Sequence, residues 1–182
     1  MINWKKVSLE DLAGFLSAKL AEKDIGIILV GGACVTIYSR NRYQSYDLDF
    51  VVYEDMKKVK QALKELGFLE KNKYFIHPEC KWIIEFVSSP VAIGSEIISD
   101  FEEIRVSTGT IKMLRVEDSV KDRLASYFHW NDRQGLDQAI DICLEQDVDI
   151  KEVKTWAIKE GFEPKFQKFI DQLRKQKSKV KT

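Results

Sequence analysis

Two aspartates a single leucine apart open the apolar run DLDFVV, residues 47–52. Side chains alternate faces along a strand, so Asp47 and Asp49 would project to one side while Leu48 and Phe50 project to the other. Two like charges then share a patch. A carboxylate beside an apolar interior costs several kcal/mol unless a cation or a hydrogen-bond donor meets it. Paired hard oxygen donors suit Mg2+ or Mn2+. Read alone, the pair also fits a strand mouth where water solvates both acids.

The neighbouring segments bear on that choice. Ile27 to Val30 is a short apolar run bounded by Gly26 and Gly31 and reads as a buried strand; residues 32–40 suit a short helix. Gly31 and Gly32 therefore stand at a strand-to-helix turn, where missing side chains and free N–H groups let an anion approach. A turn that needs positive φ accounts for such glycines equally well. Arg42 and Ser45 lie between this turn and the aspartates, and with the glycines they are the candidate phosphate-binding residues. Further on, KWIIEFV carries Glu85 inside an apolar strand. If that strand lies beside DLDFVV, Glu85 completes a three-carboxylate cluster able to hold two metal ions; the other reading pairs Glu85 with a Lys or Arg across the sheet.

The remaining pattern sets the architecture. Leu9, Leu12, Leu16 and Leu20 make a helical stripe behind Ser8, and Met56, Val59, Leu63 and Leu66 make another that Gly67 stops. KYFIH, KWIIEFV, EEIRVST and TIKML read as strands. After Leu114 only helical periodicity remains, with Val120, Leu124 and Phe128 on one stripe and Leu136, Ile140 and Cys143 on the next. The expectation is an α/β (α+β) core over residues 1–114, a helical lobe over 115–175, and a basic tail, 176–182, too polar to pack.

With 182 residues, 45% hydrophobic and 32% charged, the composition is that of a globular chain, and equal numbers of basic and acidic residues give no global field toward nucleic acid or membrane. No apolar run approaches the roughly 18 residues of a membrane span. Three scattered cysteines fit reduced thiols and a cytoplasmic setting. His77 and Cys80 have a spacing seen in zinc sites but lack a second half-site, and a strand end turning at Pro78 describes them better.

The set Gly31-Gly32, Asp47-x-Asp49 and a later strand acid resembles the nucleotidyltransferase superfamily of DNA polymerase β. RNRYQSYDLDF is similar to the approach to the aspartates in antibiotic nucleotidyltransferases, and VEDSVKDRLASYFHWNDRQGLDQAIDIC to the helical segment of minimal bacterial and archaeal members, toxin types included. The resemblance implies a mixed sheet flanked by helices with a C-terminal helical lobe. It implies a transferase that moves an NMP from an NTP to an acceptor hydroxyl and releases pyrophosphate, using two Mg2+ or Mn2+ ions. Gly31 and Gly32 would cradle the triphosphate, Asp47, Asp49 and Glu85 would bind the metals, and Glu85 would ligate the activating metal or act as base. This chain has Gly32 where many members have serine, and Glu85 where many have aspartate.

Lys121 lies where such helices often place a lysine that reaches the phosphates; as a solvated helix residue it would instead pair with Glu117. Arg133 and Asp137 read first as an intrahelical ion pair. Tyr127, Phe128 and Trp130 read as core, with a base-stacking wall as the alternative. The acceptor is open among tRNA or other RNA, a protein hydroxyl and a small molecule; neither DNA nor a membrane is an expected partner. A catalytically silent nucleotide-binding or interaction module of a toxin–antitoxin-like system, with a cognate antitoxin protein, is the alternative.

Overall fold

The computed structural model describes residues 2–180. Helix α1 (Leu9–Ala21) begins at Ser8, whose hydroxyl accepts the Asp11 N–H at 3.0 Å. The predicted leucine stripe is its buried face. Strand β1 (Ile27–Val30) runs directly into α2 (Gly31–Tyr38), and β2 (Asp47–Val52) follows. Helix α3 (Met56–Glu65) is capped by Asp55, which accepts the Lys57 N–H, and it stops before Gly67 at φ +90°.

A hairpin of β3 (Leu69–Lys71) and β4 (Tyr74–Ile76) turns at Asn72, φ +58°. Then come β5 (Ile83–Val87), a small hairpin of β6 (Ala92–Ile93) and β7 (Glu96–Ile97), and the long hairpin of β8 (Phe101–Val106) and β9 (Gly109–Leu114). Helices α4 (Val116–Trp130), α5 (Arg133–Glu145), α6 (Ile150–Lys159) and α7 (Glu163–Val180) complete the chain. The predicted tail is corrected here. Residues 176–180 continue α7 as helix, with 176–179 exposed and so unpacked as expected, and residues 181–182 lie outside the described part.

Seven strands form one mixed sheet in the order β3-β4-β5-β2-β1-β9-β8, while β6 and β7 make a separate ribbon. β2 is central, antiparallel to β1 and parallel to β5. This position explains its composition: Leu48 and Phe50 are fully buried on one face, and only the opposite face, at its N-terminal end, keeps acids.

The chain divides into two compact units. One comprises, of the described residues, 2–34, 45–91 and 98–114 and contains the whole seven-stranded sheet with α1 and α3. The other comprises, of the described residues, 35–44, 92–97 and 115–180. A division at residue 114 thus describes the last strand but misses two earlier segments that belong with the helices.

The core of the helical unit is aromatic: Phe128 stacks on Trp156 and Phe162 with ring centroids 5.7 and 5.1 Å away. Among the described residues no helix is long and apolar enough to cross a membrane.

Candidate active site

The site is organised around Asp49. Sheet register sets it opposite Val30 of β1 on one side and opposite Glu85 of β5 on the other. Residues paired in register face the same way, so Glu85 joins the face that Asp47 and Asp49 share.

Immediately after Val30 the chain turns at Gly31 with φ +68°, a left-handed conformation that glycine adopts without strain. A Cβ built there would stand 2.7 Å from Asp49 Oδ2. The carboxylate therefore lies against the backbone of the strand-to-helix turn, and no side chain fits between them.

Asp47 is oriented from its own strand. Ser45 is buried, 3% exposed, and its hydroxyl donates to Asp47 Oδ1 at 2.7 Å. Ser45, expected as a phosphate contact, thus has its hydroxyl on the first aspartate.

Glu85 is different. Its carboxylate accepts a 2.8 Å ion pair from Lys73, with side-chain exposures of 16% for the acid and 62% for the lysine. The hydrogen bond to Glu85 is the main cause that pushes the Lys73 pKa above its usual value. Among the described residues no three acidic, His or Cys side chains converge on one ion position.

The expected three-carboxylate cage is therefore corrected to an aligned set: register places the three acids on one face, and the third is turned toward a lysine. Like charges in a row favour that rotation when an ammonium is in reach. The donors are still hard oxygen ligands of the kind a divalent cation takes, and glycine at position 31 puts no Cβ against Asp49.

Arg42 and Lys121 belong to the helical unit, and both are engaged there. Arg42 Nε lies 2.6 Å from Glu145 Oε1. Lys121, with a side chain 4% exposed, has Nζ 2.7 Å from Glu152, 3.1 Å from Asp118 and 3.5 Å from Glu96. Arg115 reaches the same Asp118 and Glu152 at 3.0 and 2.7 Å.

Burial is the largest single influence on Lys121 and disfavours its charge, yet the hydrogen bonds it donates to Glu152 and Asp118 together prevail and raise its pKa. Glu152 mirrors it: burial raises, the bonds from Lys121 and Arg115 outweigh, and the net shift is downward. Lys121 is accordingly a buried counter-ion joining α4, α6 and β7, neither a solvated partner of Glu117 nor a cation open to phosphate.

Phe128 and Tyr127 are buried, so the base-stacking wall is core; Trp130 alone stands out, 78% exposed. His77 stacks on Trp4 at 4.0 Å between ring centroids, and its Nδ1 accepts the Glu79 N–H in the turn after β4, as a strand end rather than a zinc ligand.

Lys73 is the residue that sequence reasoning missed. The signal available was KNKY, where an asparagine tolerant of left-handed backbone marks a two-residue hairpin turn and so delivers Lys73 beside the strand that follows.

No profile of a known protein family matches the chain, and no curated protein matches it in sequence. The solved structures do. An antigenic nucleotidyltransferase-like protein from Paracoccidioides brasiliensis superposes with a TM-score of 0.56 over 74% of each chain at 15% identity. The chain has the nucleotidyltransferase fold.

The antibiotic-resistance factor ANT(2'')-Ia shares this nucleotidyltransferase architecture over 93% of the present chain and 96% of its own, with a TM-score of 0.51 and 12% identity. Identities this low carry the fold and leave the chemistry to the residues.

Proposed function

We propose that the chain is a metal-dependent nucleotidyltransferase. The observation that supports this most is the placement of Asp49, held against the Gly31 turn on one side and in register with Glu85 on the other.

The reaction is in-line transfer. The acceptor hydroxyl oxygen forms a bond to the α-phosphorus of an NTP, the bond from that phosphorus to the oxygen bridging to the β-phosphate breaks, and pyrophosphate leaves with the electron pair. Backbone N–H groups at the Gly31-Gly32 start of α2 face the anionic phosphates. Asp47, oriented by Ser45, and Asp49 with Glu85 are the residues that would hold Mg2+ or Mn2+. When bound, such ions stabilise the charge on the attacking and leaving oxygens. Glu85 is the group on this face suited to take the hydroxyl proton.

Incubation with each α-32P-labelled NTP, Mg2+ and total RNA or cell extract tests the activity. Label should pass to a macromolecule with the wild type and not with Asp49→Asn, and no transfer to any acceptor class would remove the proposal. Calorimetry checks the metal requirement separately. NTP affinity should fall by at least tenfold in EDTA relative to Mg2+, and equal affinities would sink it.

A further inference from the structure

Lys73 has no place in the reaction above, yet its ammonium sits on Glu85, the third acid of the site. Its Nζ lies 2.8 Å from Glu85 Oε1 and 4.9 Å from the centre of the Tyr74 ring. Tyr74 is the direct register partner of Glu85, so the β3–β4 turn hangs the lysine over the acid face of the sheet.

We propose that Lys73 is a tethered counter-ion, seated on Glu85 in the metal-free protein and exchanged for a divalent cation when one binds. This rests on the reading of Asp47, Asp49 and Glu85 as a metal site.

Three observations carry it. First, Glu85 stands beside Asp49 in register, and two adjacent carboxylates need positive charge whether or not a metal is there. Second, the two partners differ in freedom. The acid sits on a central strand with its side chain 16% exposed, while the lysine is 62% exposed on a hairpin turn and can leave through rotation of its own stem. Third, a lysine this open adds little to stability as a plain ion pair. Its consequence falls instead on what else can occupy Glu85.

The exchange makes Lys73 and the cation competitors. Removing the ammonium should tighten Mn2+ binding by about fivefold, the scale of an exposed ion pair. The gain should vanish where Glu85 no longer carries charge.

The test is Mn2+ binding, followed by calorimetry and by the electron paramagnetic resonance of free Mn2+, on wild type, Lys73→Met, Lys73→Arg, Glu85→Gln, the Lys73→Met/Glu85→Gln double variant and Asp49→Asn. Circular dichroism in EDTA checks that each is folded. The expected result is tighter binding in Lys73→Met, wild-type affinity in Lys73→Arg, and no difference between Glu85→Gln and the double variant. Equal affinity of wild type and Lys73→Met, with binding lost in Asp49→Asn, overturns the counter-ion alone and leaves the metal site standing. A gain that persists with Glu85→Gln also overturns it, since the lysine would then act by long-range charge. Mn2+ bound by neither wild type nor Lys73→Met overturns the metal reading and this inference together.

Discussion

At Gly31 two independent facts exclude a side chain: a φ of +68° and the 2.7 Å approach of Asp49 Oδ2 to where a Cβ would lie. Alanine there should cost about 1–2 kcal/mol from the left-handed backbone alone. It must also push the Asp49 carboxylate off the turn. The expected outcome for Gly31→Ala is a lowered urea midpoint together with Mn2+ binding weakened well beyond what the stability loss explains. Retained metal affinity would show that Asp49 does not depend on this contact.

The residue scale also separates the two aspartates. Asp47 is oriented by the Ser45 hydroxyl within its own strand entrance, whereas Asp49 is placed by the backbone of another element.

Between elements, the charge cluster of the helical unit is the distinctive feature. Lys121 of α4, Glu152 of α6 and Glu96 of β7 meet with Arg115 and Asp118, so one ammonium joins three segments. Breaking a buried pair leaves charge uncompensated, and Lys121→Met should destabilise by about 3 kcal/mol in urea unfolding, the lower end of the range because Arg115 remains beside Asp118.

The cluster also sets an acid limit. The folded pKa of Glu152 is lowered, with burial opposing and the bonds from Lys121 and Arg115 prevailing. A depressed carboxylate contributes stability that is present above its unfolded value, about 4.3, and is lost as pH falls through the folded one. Glu160, lowered chiefly by its hydrogen bond from Ser95, adds to the same slope. Thermal melts should therefore fall steeply below about pH 4, and Glu152→Gln should flatten that descent. A variant with the wild-type acid slope would place the effect elsewhere.

Over the whole molecule, the helical unit is assembled from three stretches of chain. Gln146 donates its side-chain amide to the Tyr38 carbonyl at 2.7 Å, and Glu160 accepts from the Ser95 N–H at 3.0 Å, so residues 35–44 and 92–97 are fastened to helices that come far later. Val35, Tyr38 and Ile93 are buried in this arrangement. A chain ended at Leu114 would expose them. It should lose cooperative unfolding, seen as a broad melt by circular dichroism and poor dispersion in amide NMR spectra; a sharp transition would show that the sheet unit folds without the helices.

Local spacing in the sequence was enough for whatever depends on near neighbours. The leucine stripe of α1 with its cap at Ser8, and the shared face of Asp47 and Asp49, follow from periods of 3.6 and 2 and from one hydrogen bond to a nearby N–H. The helices after Leu114 followed from the same period, whereas the mixed sheet was implied by the family resemblance. Short elements escaped: β3, β6 and β7 hold three, two and two residues, too few for a period to show.

Only the tertiary structure chose partners. Glu85 in KWIIEFV announced that it needed a companion, but whether that would be Asp49 or a lysine depended on β5 pairing with β2 across an intervening helix and hairpin. The folded chain supplied both, one by register and one by a turn. Lys121 had Glu117 within reach along its own helix and took Asp118 together with acids from α6 and β7, because burial made every carboxylate in range count. Pattern along a chain reports what a side chain requires, and the closure of distant segments determines what meets it.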